Sequence, residues 1–302
     1  MNKSVKLFSL IIVASLFSAN LSANSLSYNN NKDSLSTDTI KYWKTGGRIV
    51  LNISQIALSN WAAGGENLIA GNSMVNLYAN YKKDKTSWDN TIDFAFGRLK
   101  KESTKAIKND DRFEFTTKYG RKRSDKWYYS GMLNIKTQFF SGYKFPEKDS
   151  IKISDFLSPA YILLSAGMDY KPSDKFTFLM SPITGKITVV NSPILSAQKA
   201  YGVEQGRNTR SELGGFFKII LKGSLFKNLN YQTKVDAFLN YMNNPENIDW
   251  DCEFLLGMSL NKYISANLKT NLLYDDDVVT LPNTGPKLQL KEFLGVGFSY
   301  KI

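Results

Sequence analysis

The feature that most constrains this fold is an alternation of side-chain character that recurs in segments from residue 48 to the C-terminus. In "LNYQTKVDAFLNY" (229–241), one face is largely apolar or aromatic and the other carries most of the charges and amides. The same period of two appears in "DDRFEFTTKYG" (110–120) and in "IDWDCEFLLGMSL" (248–260). Successive side chains of a strand point to opposite faces, so this period predicts an all-β fold with one apolar and one polar face.

We predict about twelve strands, over residues 48–58, 68–82, 86–99, 111–121, 127–140, 159–171, 175–184, 211–222, 229–241, 248–260, 263–274 and 288–302. Many exceed the ~5–6 residues of an ordinary strand. They match the ~9–11 residues that a tilted strand needs to cross a bilayer. The length of the strands therefore favours a transmembrane barrel over a soluble sandwich.

The connections between these strands alternate in length. Short ones occupy residues 82–85, 121–126, 171–175, 222–229 and 261–263, and mostly longer ones occupy 100–111, the stretch after Phe140, 185–210, 242–247 and 275–287. Outer-membrane barrels have short periplasmic turns and longer outer loops. The alternation predicts a closed antiparallel transmembrane β-barrel with both termini in the periplasm.

Aromatic residues also lie where a membrane barrel needs them, at the ends of the apolar faces. They are Tyr81, Trp88, Tyr119, Tyr129, Phe139, Tyr170, Phe176, Tyr231, Tyr241, Trp250, Tyr274 and Tyr300. The high β propensity of aromatic residues explains their number, but two aromatic belts at the membrane interfaces explain their positions better. We expect outer-membrane lipids as partners, with interfacial Lys and Arg pairing with lipid phosphates.

Both ends of the chain indicate export to an outer membrane. Lys3 and Lys6 precede an apolar run over residues 7–17 and then small residues, which is typical of a secretory signal peptide over residues 1–23. Residues 24–45 form a polar lead-in predicted to be disordered, and residues 46–302 form the barrel. The last strand, "EFLGVGFSYKI", carries Gly297, Tyr300 and Ile302 in a pattern that resembles the C-terminal assembly signal of such barrels. We therefore expect the barrel-assembly machinery as a partner.

The composition removes most catalytic chemistry. The chain has no histidine, so neither a Ser–His–Asp nor a Cys–His site is available. The net charge of +12 comes from scattered Lys and Arg, a pattern that disfavours nucleic-acid binding. Carboxylates cluster at residues 109–111, 249–251 and 275–277, where we interpret them as solvated loop charge or weak Ca²⁺ ligands. We predict no enzyme, no catalytic, metal or cofactor-binding residue, and no cofactor, with a carboxylate-based barrel enzyme as the remote alternative.

The inward face carries charges of both signs, which lipid would not tolerate. The candidate lumen-lining charges are Asp93, Glu114, Lys118, Lys136, Lys234, Asp236, Glu253 and Lys269. They either line a narrow path for small polar solutes or pair across the lumen and close it, so that the barrel acts through its outer loops. About twelve strands lie between filled eight-stranded barrels and open porins, so strand number leaves both readings open. We take the channel as the working hypothesis.

Several segments resemble a Bacteroidetes family catalogued as domain of unknown function 3078. They are "LNISQIALSNWAAGGENLIAGN", "NLYANYKKDKTSWDNTIDFAFG", "KNDDRFEFTTKYG", "FFSGYKFP" and "LSPAYILLSAGMDYKPSDKF". The resemblance extends over most of residues 48–302. It implies a β-barrel in the outer membrane of a Gram-negative cell and implies no activity.

The most specific part of this resemblance is "NWAAGGEN", which contains Trp61, Gly64, Gly65, Glu66 and Asn67. We predict that the first strand runs out through Trp61 and that the second begins near Glu66. Gly64 and Gly65 would then supply the positive φ angles of a tight outer turn. The alternative is that this hairpin folds over the barrel mouth and gates it.

Overall fold

The computed structural model describes residues 42–59, 65–102, 105–144, 151–275, 277 and 286–302, and the structural statements below concern these residues. The barrel strands are β1 (Trp43–Ile56), β2 (Leu68–Lys83), β3 (Thr86–Lys101), β4 (Ile107–Lys122), β5 (Trp127–Thr137), β8 (Ala160–Ser173), β9 (Phe176–Val189), β10 (Thr209–Phe226), β11 (Leu229–Asn240), β12 (Ile248–Ser259), β13 (Ile264–Tyr274) and β14 (Gln289–Lys301). Two short strands, β6 (Gly142–Lys144) and β7 (Ile151–Ser154), pair in a separate hairpin.

The twelve long strands form a closed antiparallel barrel. Their order around the wall is β1-β14-β13-β12-β11-β10-β9-β8-β5-β4-β3-β2. The predicted twelve-stranded closed barrel is confirmed, and its strand bounds lie within a few residues of the predicted ones. The largest differences are that β1 begins at Trp43, inside the segment predicted as lead-in, and that β9 runs to Val189 instead of 184. The predicted signal peptide and residues 24–41 of the lead-in lie outside the described residues.

The alternation in the sequence gives the barrel wall an apolar outer face and a polar inner face. Apolar side chains such as Leu164, Ile183 and Leu294 point outward and are 67%, 66% and 72% exposed. Polar side chains one place along each strand point inward and are buried, as Glu114 and Asp169 show. The barrel therefore has an apolar exterior and a polar interior, the reverse of a water-soluble protein.

Closure brings the last strand onto the first. Asn52 of β1 lies opposite Gly297 of β14, and Ile302 exchanges two backbone hydrogen bonds with Gly47. A Cβ atom on Gly297 would lie 2.1 Å from the carbonyl oxygen of Leu51, so only glycine fits this position. The exposed Tyr300 faces outward on the same strand. All three residues of the predicted assembly signal thus lie at the closing seam.

The connections divide by length between the two ends of the barrel. The short-turn end holds residues 84–85, 123–126, 174–175, 227–228 and 260–263, together with the start of β1 and the end of β14. The long-loop end holds the connections over residues 57–67, 102–106, 138–159, 190–208, 241–247 and 275–288. Because each strand reverses the direction of the chain, alternate connections lie at opposite ends of the barrel. The sequence predicts this division into a short-turn end and a long-loop end.

The long-loop end contains structure that the alternation did not predict. The segment over residues 190–208 forms the short helix α1 (Pro193–Ala197) and a turn of 3₁₀ helix (Ala200–Gly202) around buried Val190, Leu195 and Val203. Strand β5 ends at Thr137, before the predicted position 140. Its continuation turns away because the Asp111 carboxylate accepts hydrogen bonds from the backbone N–H groups of Phe139 and Phe140. In the described part of the chain, no helix is long and apolar enough to cross a bilayer.

Candidate functional site: the barrel lumen

Ion pairs join opposite walls of the barrel. Arg112 on β4 contacts Glu253 on β12, and these strands lie six places apart in a ring of twelve. Lys136 on β5 contacts Asp251 on β12 at 2.7 Å, and Lys234 on β11 contacts Glu114 on β4. Each pair therefore spans the lumen almost along its diameter.

Ion pairs connect most of these residues into one group, and the Lys136–Asp251 pair lies directly beside it, with Lys136 opposite Glu114 and Asp251 opposite Asp236 on neighbouring strands. We call the whole set the central ion network. Its members are Arg112, Glu114, Lys136, Lys218, Lys234, Asp236, Asp251, Glu253 and Lys269. Five cations face four carboxylates, so the network is close to neutral. Charges taken out of water are tolerated when they are paired and hydrogen-bonded.

Glu114 is the hub of the network. Its side chain is 1% exposed and lies 3.2 Å from Arg112 Nη2 and 4.0 Å from Lys218 Nζ, besides its contact with Lys234. The amide of Asn134 donates a hydrogen bond of 2.9 Å to its Oε1 atom. One buried carboxylate thus holds three cations from β4, β10 and β11.

Two outer layers of ion pairs flank the network. Toward the short-turn end, Lys118 contacts Asp169 at 2.6 Å, and Lys171 lies 2.5 Å from Asp89 and 3.3 Å from Asp169. Toward the long-loop end, Lys186 contacts Asp249 at 2.8 Å. On one side of the lumen, Met132, Leu179, Phe216 and Phe238 form a buried apolar cluster. The central ion network thus links opposite walls across the lumen.

A cavity of about 680 Å³ lies in the short-turn half of the lumen. Its ionisable lining comprises the basic residues Lys44, Arg48, Arg112, Lys175, Lys222, Lys269 and Lys301 and the acidic residues Asp93 and Glu253. Arg112 and Glu253 belong to the central ion network, so the network forms the floor of the cavity. Because basic side chains dominate its ionisable lining, we call this cavity the basic vestibule.

The structure places all eight predicted lumen-lining charges on the inward face. Glu114, Lys136, Lys234, Asp236, Glu253 and Lys269 belong to the central ion network, and Lys118 lies in the layer below it. Asp93 accepts a hydrogen bond of 2.6 Å from Asn76 and lines the basic vestibule. Arg112 was missed, although its position two residues before Glu114 puts it on the same face. Its partner Glu253 lies 141 residues away, and no local pattern could have paired them.

Asp249, Asp251 and Asp275 belong to acidic clusters interpreted as solvated loop charge or weak Ca²⁺ ligands, and the first alternative is wrong for these three residues because their carboxylates are mostly buried. Asp251 lies inside β12 and pairs with Lys136. Carboxylate oxygens of Asp249, Asp275 and Asp277 lie within 4.8 Å of one another. Lys186 contacts Asp249, and Arg210 contacts Asp277, so each of these two carboxylates has a cationic partner.

Asp275 follows the last residue of β13 and is buried. Its Oδ1 atom accepts a hydrogen bond of 2.9 Å from the backbone N–H of Asp277. Burial, helped by the neighbouring Asp249 carboxylate, raises the pKa of Asp275 to about 7. This side chain is therefore a group at the long-loop end that changes charge near neutral pH.

The signature hairpin differs from its prediction. Strand β1 ends at Ile56 and β2 begins at Leu68, so the first strand does not run out through Trp61 and the loop is wider than a tight "AAGG" turn. Trp61 and Gly64 lie outside the described residues. Gly65 has a φ of 116°, in the positive region that was predicted for it.

Asn67 fixes the end of this loop. Its side-chain oxygen accepts a hydrogen bond of 2.5 Å from the backbone N–H of Leu58, and its side-chain nitrogen donates one of 2.7 Å to Glu102. Asn67 thus joins the start of the loop to the connection after β3. The neighbouring Glu66 is exposed at the surface. A structural role for Asn67 follows directly from these contacts.

The fold and its lumen define a closed twelve-stranded antiparallel β-barrel with a charged interior. A family model described as protein of unknown function, DUF3078, matches residues 53–143. That match includes Arg112, Glu114 and Lys136, and the predicted resemblance beyond residue 143 stays a prediction. No curated protein matches the chain.

Several solved barrels are similar in outline. An outer membrane channel from Pseudomonas putida F1 has 8% identity and a TM-score of 0.39, with 90% of this chain and 100% of that chain covered. The translocator domain of the autotransporter NalP from Neisseria meningitidis has 12% identity and a TM-score of 0.38, with 97% of each chain covered. The NanC porin has 8% identity and a TM-score of 0.39, with 84% of this chain and 98% of that chain covered. At such low identities and scores we draw no inference about activity from them.

Proposed function

We propose that this protein is an outer-membrane β-barrel whose long strands span the bilayer, with the short-turn end in the periplasm. The exposed apolar exterior supports this placement, since side chains such as Leu164 and Leu294 would face water in a soluble protein. Aromatic rings at the short-turn end support it as well. Trp43 packs on Tyr81 and Trp88, with ring centroids 5.2 and 5.8 Å apart, which suits a membrane interface. Membrane lipids and the barrel-assembly machinery are the partners that this proposal requires.

The lumen of this barrel is closed in its resting state, and the protein acts as a binding or structural barrel instead of an open channel. The central ion network carries this conclusion, because Arg112–Glu253 and Lys136–Asp251 hold opposite walls together. Opening a path would separate charges that are largely buried, and an unpaired buried charge costs about 3–5 kcal/mol. The closed reading of the sequence therefore replaces the open channel as the favoured one.

A gated path for small anions is the second candidate. The observation that favours it is the basic vestibule, whose seven cations and two carboxylates would concentrate anions below the network. Such a path requires the network to rearrange when a ligand or a membrane potential acts on it. It is distinguished from the closed barrel by solute permeability.

Two measurements test the proposal. Folded protein should stay in the membrane fraction after high salt and should shift its gel mobility on boiling, and recovery in the soluble periplasmic fraction would contradict the membrane placement. Proteoliposomes should show no swelling in an isosmotic sugar or amino-acid solution beyond that of empty vesicles. Swelling at a rate set by the protein-to-lipid ratio would contradict the closed lumen.

A further inference from the structure

The basic vestibule differs from the rest of the lumen in its charge balance. In the central ion network five cations face four carboxylates, whereas the vestibule has seven basic and two acidic side chains. Both vestibule acids are already engaged, Glu253 with Arg112 and Lys269 and Asp93 with Asn76. The vestibule is left with an excess of five positive charges.

Five cations of the vestibule have no carboxylate within ion-pair distance in the described part of the chain. They are Lys44, Arg48, Lys175, Lys222 and Lys301, and the described ion pairs involve none of them. They come from β1, β10, β14 and the turn before β9, so they converge on one space from different strands. Like charges gathered in a concave site repel one another, and an anion bound among them relieves that repulsion.

Arg48 is half-buried, whereas the other four cations are exposed, and its guanidinium is held in place. Its Nε atom donates a hydrogen bond of 2.9 Å to the Ser299 hydroxyl on the neighbouring strand. Its Nη1 atom lies 2.9 Å from the position that a Cβ atom on Gly257 would take, so the absence of a side chain there leaves room for the guanidinium. An oriented guanidinium is suited to bind a carboxylate or phosphate through two hydrogen bonds.

Neutral hydrogen-bonding groups complete the wall of the vestibule. Asn230, Gln232 and Ser224 line it on the side of β10 and β11, and Asn267 lines it near Arg48. Amides and hydroxyls beside cations are the groups that orient a small polar ligand. The volume of about 680 Å³ falls in the range of ligand pockets, roughly 300–1,000 Å³.

We propose that the basic vestibule binds a small, water-soluble anion that carries two or more carboxylate or phosphate groups. Several charges are required because five unpaired cations face the space and one charge would leave most of them unsatisfied. The ligand is water-soluble because the vestibule lies inside the wall, where acyl chains have no access. The proposal that the ligand enters from the periplasm rests on the membrane orientation proposed above.

Isothermal titration calorimetry of the full chain, folded in detergent micelles, tests this proposal. The probes are tripolyphosphate and citrate, which separate phosphate from carboxylate chemistry. We expect saturable binding of at least one probe, weakened when the ionic strength rises because salt screens the attraction. Binding of neither probe at low salt would overturn the proposal. The gel mobility shift on boiling is measured on the same samples, so failure of binding is distinguished from failure of the barrel itself.

Matched variants locate the binding. Lys222→Gln/Lys301→Gln removes two exposed, unpaired cations from the vestibule, and we expect at least a tenfold weaker affinity for the probe. Lys126→Gln/Lys262→Gln removes the same charge from exposed turns of the same end that do not line the vestibule, and its affinity should stay within about threefold of wild type. Equal losses in both variants would show non-specific attraction and overturn the proposal. Arg48→Gln, with an unchanged gel shift, should weaken binding at least fivefold.

Discussion

Glu114→Gln tests the central ion network at its hub. The substitution keeps the size of the side chain and removes its charge, so that Arg112, Lys218 and Lys234 lose a shared carboxylate. The network then changes from five cations and four carboxylates to five and three. Removal of one partner from a buried ion pair costs about 3–5 kcal/mol, and we expect a loss of that size in the free energy of unfolding.

Urea unfolding of the barrel in lipid vesicles, followed by tryptophan fluorescence, measures this change. The control is Asp125→Asn, which removes an ion pair with Lys122 whose carboxylate is 98% exposed. Exposed pairs contribute ~0–1 kcal/mol, so the control should unfold almost as the wild type does. A loss below about 1 kcal/mol for Glu114→Gln would refute the view that the lumen is a closed, water-poor network.

A double variant separates two contributions to this loss of stability: the attraction within the ion pair and the penalty of leaving a buried cation without its carboxylate. Glu114→Gln/Lys234→Met removes a cation together with its carboxylate and should be more stable than Glu114→Gln alone. The reason is that replacing a whole buried pair by apolar groups is often neutral, whereas breaking a pair is costly. If the double variant is less stable than Glu114→Gln by a further 3 kcal/mol or so, the pair contributes mainly attraction and this reasoning fails.

Three further predictions concern the loops and the seam. Burial raises the pKa of Asp275 from 3.8 to about 7, so between these pH values the folded state holds a proton that the unfolded state releases. Stability should therefore fall as the pH rises from 4 to 7. Asp275→Asn should flatten this dependence, which urea midpoints measured at pH 5 and 8 will show. Asn67→Ala removes two loop hydrogen bonds and should cost ~1–2 kcal/mol in the same assay, with an unchanged result excluding its structural role. Gly297→Ala puts a methyl group 2.1 Å from the carbonyl oxygen of Leu51 and should abolish the heat-shifted gel band. In the control Gly185→Ala the new methyl group meets no atom within 4 Å, and the band should remain. A normal band for Gly297→Ala would contradict tight closure of the barrel seam.

Strand number and sidedness could be predicted because each strand has chemically different faces. A shift of one residue in the pairing of two strands would turn a whole apolar face inward, so the pattern fixes which residues of each strand face outward. Bounds were less predictable where side chains compete with the ladder. The sequence predicts that β5 continues to Phe140. The carboxylate of Asp111 on the neighbouring strand instead accepts hydrogen bonds from the backbone N–H groups of Phe139 and Phe140 that would have extended β5.

The particular ion pairs that form across the lumen could not be predicted. The sequence shows that Glu114 and Lys234 face inward, but either a wide solvated barrel or a narrow paired one satisfies that pattern. Their contact depends on how far apart the walls stand, which follows from the tilt and stagger of all twelve strands together. The wide loop around Asn67 was missed for a related reason, since its hydrogen bonds reach Leu58 and Glu102 beyond the local turn.

Single-channel recording in planar bilayers tests the closed lumen most directly. Folded wild-type protein, verified by its gel shift, should insert without producing conductance steps at either polarity. Arg112→Gln/Glu253→Gln removes one diametric pair without a change in net charge, and brief openings of this variant would agree with a lumen held shut by ion pairs. Regular, long-lived steps from the wild-type protein would contradict the account.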